Sequence, residues 1–184
     1  MYRNRHSDFT EYFSETDGHA YARKECRFFI DSSTSVLKGV LLHNGNRKPS
    51  VPIAHGVHVK ETYENIKFLL GKVNYADHTW NICADLKVVG ILLGMQCKYT
   101  KYCCFLCEWD SRARRQHYIK KDWPQRNSYV PGIRGISNIP LVCYKNIYLP
   151  PLHLKLGLIK NFVKAWIRMV TALDTYKHYS FNLA

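Results

Sequence analysis

Two aspartates, two cysteines and a block of arginines and lysines are the residues whose spacing could do chemistry. Asp31 closes the apolar run "CRFFI", and Asp85 closes the run "TWNICA". If these runs are strands lying side by side, both carboxylates emerge at one end of a sheet. Carboxylates there can share divalent ions, and two ions can activate water and stabilise the leaving oxygen of a phosphodiester. The competing reading is that each aspartate caps a turn or the next helix, as aspartate often does. A third carboxylate is usually needed. Glu61 and Glu64 could point to the same end; no glutamate follows Glu108, and beyond Asp122 the only acid is Asp174.

Cys104 and Cys107 have the Cys-x-x-Cys spacing that lets two thiolates grip one zinc from a tight turn. Four ligands are needed, and His117, His153 and His178 are the candidates for the others. His117 stands among Arg112, Arg114, Arg115, Lys120 and Lys121, a setting that suits a nucleic-acid contact equally well. Two buried thiols with no metal is the alternative. Cys103 reads as a bystander, and Cys26, Cys83, Cys97 and Cys143 read as small core residues. Seven cysteines is an odd number, and "MYRNRHSDFTEYF" has no apolar signal region, so a disulfide framework is not expected. Trp109 either stacks on a base or joins the core. Glu108 and Asp110 read as local structure, with Asp110 paired to Arg112 or Arg114.

The net charge of the 184 residues is +13. Residues 1–110 hold 14 Lys+Arg and 12 Asp+Glu, a balance of +2, whereas residues 111–184 hold 13 and 2, a balance of +11. So basic a half suits an anionic partner, nucleic acid before others, or is a solvated basic surface. The longest apolar run, "VVGILLGM", is far short of the roughly 20 residues that span a bilayer. No membrane role is expected.

The elements that must position these residues follow from periodicity. Residues 1–25 read as a polar, poorly anchored arm. "CRFFIDSS", "VLKGVLLHNGN" and "VPIAHGVHV" read as three short antiparallel strands with Asn44-Gly45 as a turn. "KETYENIKFLLGKV" changes to a helical period. A fourth strand runs from about Thr79 to Ala84, and an apolar helix from about Leu86 to Gln96. Residues 26–123 form the core with its Cys-x-x-Cys loop. Residues 124–151, with five prolines, read as a long irregular connection that is functional or mobile. Residues 152–184 carry a final helix of the same domain, with Lys160, Lys164 and Arg168 four apart in a basic stripe.

Together, "FFIDSS", "LLHNGN", "ICADLKVVGILLGMQ", "YCCFLCEWDSR" and "LPPLHLKLGLIKNFVKA" resemble transposon-derived proteins widespread in animal genomes. More distantly, residues 26–170 are similar to the RNase H-like core of DDE transposases. These include the Transib elements and the recombination-activating recombinase, with hAT elements related. The resemblance implies an α/β fold: an RNase H-like mixed sheet of three antiparallel strands, a helix, and a fourth strand beside the first. A Cys-x-x-Cys insertion and a long C-terminal helix complete it. It implies Asp31 and Asp85 as catalytic acids on Mg²⁺ or Mn²⁺, structural Zn²⁺ at the cysteine pair, DNA as partner and a nuclear location. Such enzymes end with a glutamate on a late helix, which this chain lacks. The core is therefore expected to be incomplete and inactive alone, or completed by a homo-oligomer or by a second chain supplying the missing part. The alternative is a zinc-stabilised nucleic-acid-binding or protein-interaction module without catalysis.

Overall fold

The computed structural model describes residues 9–11, 25–33, 35–78, 80–97, 100–149 and 151–181; the side chains of 9–11, 152, 153 and 172–181 lie outside that description. Two compact units divide the chain, residues 1–149 and 150–184.

The first unit is built on β2 (Cys26–Ser32), β3 (Val36–His43) and β4 (Val51–Val57), joined as antiparallel neighbours. Alternation decides which side chains are buried: Cys26, Phe28 and Ile30 on β2, with Leu37, Gly39 and Leu41 on β3. On β4 two successive residues, Ile53 and Ala54, are both buried. A bulge explains this. Gly39 opposes Ala54 and Val40 opposes Pro52, so Ile53 is the extra residue. Gly39 also yields space, because a Cβ there would lie 2.8 Å from the buried ring of Phe28. The Asn44-Gly45 turn forms as expected, with the Gly45 N–H donating to His43 Nδ1 at 3.0 Å.

β1 (Phe9–Glu11) pairs with the far edge of β4 over Ala54–Gly56. The expectation of a poorly anchored arm therefore fails for Phe9–Glu11. An open strand edge offers unpaired N–H and C=O groups, and three residues suffice to use them. The rest of residues 1–24 lies outside the described residues.

α1 (Tyr63–Lys72) begins at Thr62, whose hydroxyl accepts from the Asn65 N–H at 3.3 Å. It buries Ile66, Leu69 and Leu70. The short α2 (Tyr75–His78) leads to β5 (Asn81–Ala84), which lies parallel beside β2 with Ile30 opposite Ala84. α3 (Leu86–Leu92) follows and buries Val88, Val89, Ile91 and Leu92. These helix residues share one core with Phe28, Ile30 and Ile82 of the sheet.

Residues 124–151 are less irregular than expected. β6 (Ile147–Tyr148) pairs parallel with β5, giving a six-stranded sheet in the order β1-β4-β3-β2-β5-β6. Residues 135–141 are stitched to the end of α3. The Gln96 N–H donates to the Gly135 carbonyl, Ser137 and Asn138 donate to the Gly94 carbonyl, and Leu141 donates to the Leu92 carbonyl, at 2.8–3.0 Å. Gly94 has φ +68°, and a Cβ on it would meet the Asn138 carbonyl oxygen at 2.1 Å, so the crossing requires glycine. Cys97 and Cys143, expected in the core, are exposed.

The second unit is α4 (Pro151–Phe181), 31 residues long. Proline suits its first position, where the N–H has no intrahelical acceptor. Taken by itself, it carries Lys160, Lys164 and Arg168 exposed at the expected four-residue spacing. No helix among the described residues is long and apolar enough to cross a membrane.

Candidate functional site

The parallel pair β2 and β5 carries Asp31 and Asp85 at its carboxyl edge, one residue past the Ile30–Ala84 pairing. Their surroundings differ. Asp31 is exposed and lies opposite Lys38 of β3. Asp85 is the cap of α3: its Oδ1 accepts from the Val88 N–H at 2.8 Å, and its Oδ2 lies 3.3 Å from Ser32 Oγ. Asp85 thus caps a helix and also stands at the sheet edge.

Glu61 joins this edge from just before α1. Ser32 Oγ donates to Glu61 Oε2 at 2.5 Å, and Glu61 Oε1 is ion-paired with Lys87 Nζ. One hydroxyl proton therefore serves two carboxylates, and an ammonium supplies the compensating charge. The bond to Glu61 is the main reason that the Lys87 ammonium holds its proton above the usual lysine range, with burial opposing. Glu64 is exposed in the first turn of α1.

Whether a divalent ion fits can be judged from the donors. A carboxylate has about four lone-pair sites, so Asp85 keeps acceptor capacity. Glu61 has its charge matched by Lys87, and among the described residues no three His, Cys, Asp or Glu side chains converge on a common point. As arranged, the edge does not fit a two-metal clamp.

The segment after α3 holds the cysteine pair. Tyr102 bridges to Asp110, and Cys107 to Gln125, and these two bridges tie down the segment that holds Cys104 and Cys107. Burial first, and the neighbouring Cys104 thiol second, push the Cys107 thiol above its ordinary value. His117 is not brought to them. Its Nε2 lies 2.7 Å from the Asp110 carbonyl, and its ring stacks on Trp109 with centroids 4.5 Å apart. The side chains of His153 and His178 lie outside the described residues. The pair fits half of a zinc site, and the described residues do not complete it.

Arg126, which the sequence reading passed over, organises this loop. Only 2% exposed, it donates from Nε to the Cys104 carbonyl, from Nη1 to that of Arg134 and from Nη2 to that of Tyr102, at 3.1–3.2 Å. Tyr129 adds a bond from its hydroxyl to the Phe105 carbonyl at 2.7 Å. Glu108 pairs with Arg134. Asp110 pairs with Lys101 at 3.2 Å rather than with Arg112 or Arg114, whose guanidiniums were expected there; Arg112 contributes only its backbone N–H, at 2.9 Å. Burial alone would raise the Asp110 carboxyl, but that N–H and Lys101 outweigh it and hold the group below its usual range.

Arg112, Arg114, Arg115, Lys120 and Lys121 are all exposed on the segment beyond the cysteines. Lys120 Nζ lies over the Trp123 ring, 4.5 Å from its centroid. Ser32, Lys87 and Arg126 were missed because their partners are 26 or more residues away, or are backbone carbonyls that no side-chain pattern reports. The serine following Asp31 in "FFIDSS" was the only local signal.

Comparison with curated proteins and with solved structures finds no match to either. The profile of the family described as Domain of unknown function (DUF8703) matches residues 15–142, which is more than half of the chain, and the chain belongs to that family.

Proposed function

We propose that this protein is a DNA-binding protein descended from a transposase, built on an RNase H-like core whose catalytic edge is incomplete. The observation that carries the proposal is the placement of Asp31 and Asp85 at the carboxyl edge of adjacent parallel strands. The sheet around them has three antiparallel strands on one side of that pair and a second parallel strand on the other. The order of elements, three strands, a helix, a fourth strand beside the first and a helix, is the order that the resemblance implies. The exposed cations beyond Cys107 supply the phosphate contacts, and a nuclear location follows from a DNA partner.

Catalysis by this chain alone is expected to be absent or very weak. Asp85 caps α3 with one oxygen and meets Ser32 with the other, keeping some acceptor capacity, while Lys87 neutralises Glu61. The same observation favours the second reading, a binding module with no catalytic step. A zinc at Cys104 and Cys107 would require ligands from beyond the described side chains or from a partner.

Two measurements test this reading. Plasmid nicking with Mn²⁺ is compared between the chain and Asp85→Asn, which keeps the helix cap. Nicking by neither is expected; nicking by the parent that the variant loses would overturn the inactive-core reading. DNA affinity is followed between about 50 and 200 mM salt, where several phosphate contacts predict a loss of about a hundredfold or more. Affinity indifferent to salt would overturn the DNA-binding reading.

A further inference from the structure

Tyr118 is 96% exposed and Ile119 is 80% exposed, and neither belongs to the buried core of the described residues. The segment that carries them is nevertheless well tied. Arg114–Gln116 forms a 3-10 turn, the Gln116 N–H donates to the Ala113 carbonyl at 2.8 Å, and the Gln116 carbonyl accepts from Ile119 and Lys120 at 3.1 and 2.8 Å. Beneath the tip, His117 stacks on Trp109 and meets the edge of Trp123 at 6.4 Å. The two aromatic rings that could have been buried are thus partly buried, and the next two side chains are held out in water.

Charge says what would cover them. Arg112, Arg114, Arg115, Lys120 and Lys121 surround the tip, all exposed, and no acid interrupts residues 111–121. Cations spaced along a surface neutralise phosphates, and an exposed aromatic plane among them offers a stacking partner to any base. A β-branched side chain beside the ring resembles the apolar wedges that part base steps. An anionic lipid surface would meet the same charges, but a stable membrane attachment needs a larger apolar anchor than one tyrosine and one isoleucine.

We propose that Tyr118, with Ile119 beside it, is a base-stacking site that takes an unpaired nucleic-acid base while the flanking cations hold its backbone. This rests on the nucleic-acid reading above and adds to it the kind of nucleic acid: a single strand or a locally opened duplex, in preference to an intact one. The tyrosine ring lies against the base, and Ile119 blocks the next stacking step.

The test measures binding of a labelled single strand of about 16 nucleotides, and of the matching intact duplex, by the full chain, Tyr118→Ala and Tyr118→Phe. Because the side chain is in water, all three should melt alike. The expected result is that Tyr118→Ala weakens single-strand binding by about tenfold or more, with duplex affinity and salt dependence unchanged, and that Tyr118→Phe restores it. If Tyr118→Ala binds the strand like the parent and binding is still salt-dependent, the stacking site is wrong and the nucleic-acid reading stands. If the parent binds neither strand nor duplex, both fall. If only binding to phosphatidylserine vesicles depends on Tyr118, the tip is a lipid contact and the proposal is overturned.

Discussion

Arg126 carries a full charge into a site that admits almost no water, and its partners are the carbonyls of Tyr102 and Cys104 on one segment and of Arg134 on another. A guanidinium can do this because its donors form a planar fork. Arg126→Ala leaves three partly buried acceptors short of a donor and should destabilise the chain by about 3 kcal/mol in denaturant unfolding. Arg126→Lys, keeping fewer of the bonds, should fall between. The same loss should loosen the segment around the cysteines, so alkylation of Cys104 and Cys107 should quicken in Arg126→Ala; an unchanged unfolding midpoint would discard this role. At this scale the sequence was half legible. Asp31 and Asp85 stood out because each closes an apolar run. Arg126 did not, because "PQRNSY" has the composition of a basic surface turn.

Among the elements, β3 shows how one small residue sets a strand's packing. Gly39 lies against Phe28, and the bulge beside it turns both Ile53 and Ala54 inward. Phe28 is wholly buried and cannot swing away. Gly39→Ala should therefore overpack the sheet and cost about 1–3 kcal/mol, read as a lowered thermal midpoint. A midpoint at or above that of the parent would mean that the ring has room to move. β2, β3, β4, β5, α1 and α3 were legible because alternation or helical period runs through each. β6 was not, since two residues give no period; "NIYLPP", a β-branched and aromatic pair ahead of two prolines, was its only trace.

At the scale of the whole molecule, every buried core residue among the described residues lies within residues 26–142. A chain ending at Leu149 should keep a cooperative unfolding transition, since it also retains β6. It should bind DNA with a shallower dependence on salt, because Lys155, Lys160, Lys164 and Arg168 leave with α4 and each lost phosphate contact lowers the slope by about 0.9 for duplex DNA. An identical slope would remove the α4 stripe from the DNA surface. A truncated chain that no longer unfolds cooperatively would show that the first unit depends on the second.

The sequence by itself determined the kinds of element, the charge asymmetry and which acids end strands, because each is a property of residues close together in the chain. Tertiary structure decided that β5 lies beside β2, bringing Asp31 and Asp85 to one edge across 54 residues of chain. It decided too that Glu61 and Lys87 meet there as an ion pair, and that His117 turns to Trp109 instead of the cysteines. Those outcomes depend on which surfaces pack together. A carboxylate has the same appearance in a sequence whether it will face a metal ion, an ammonium or the N–H groups at the start of a helix.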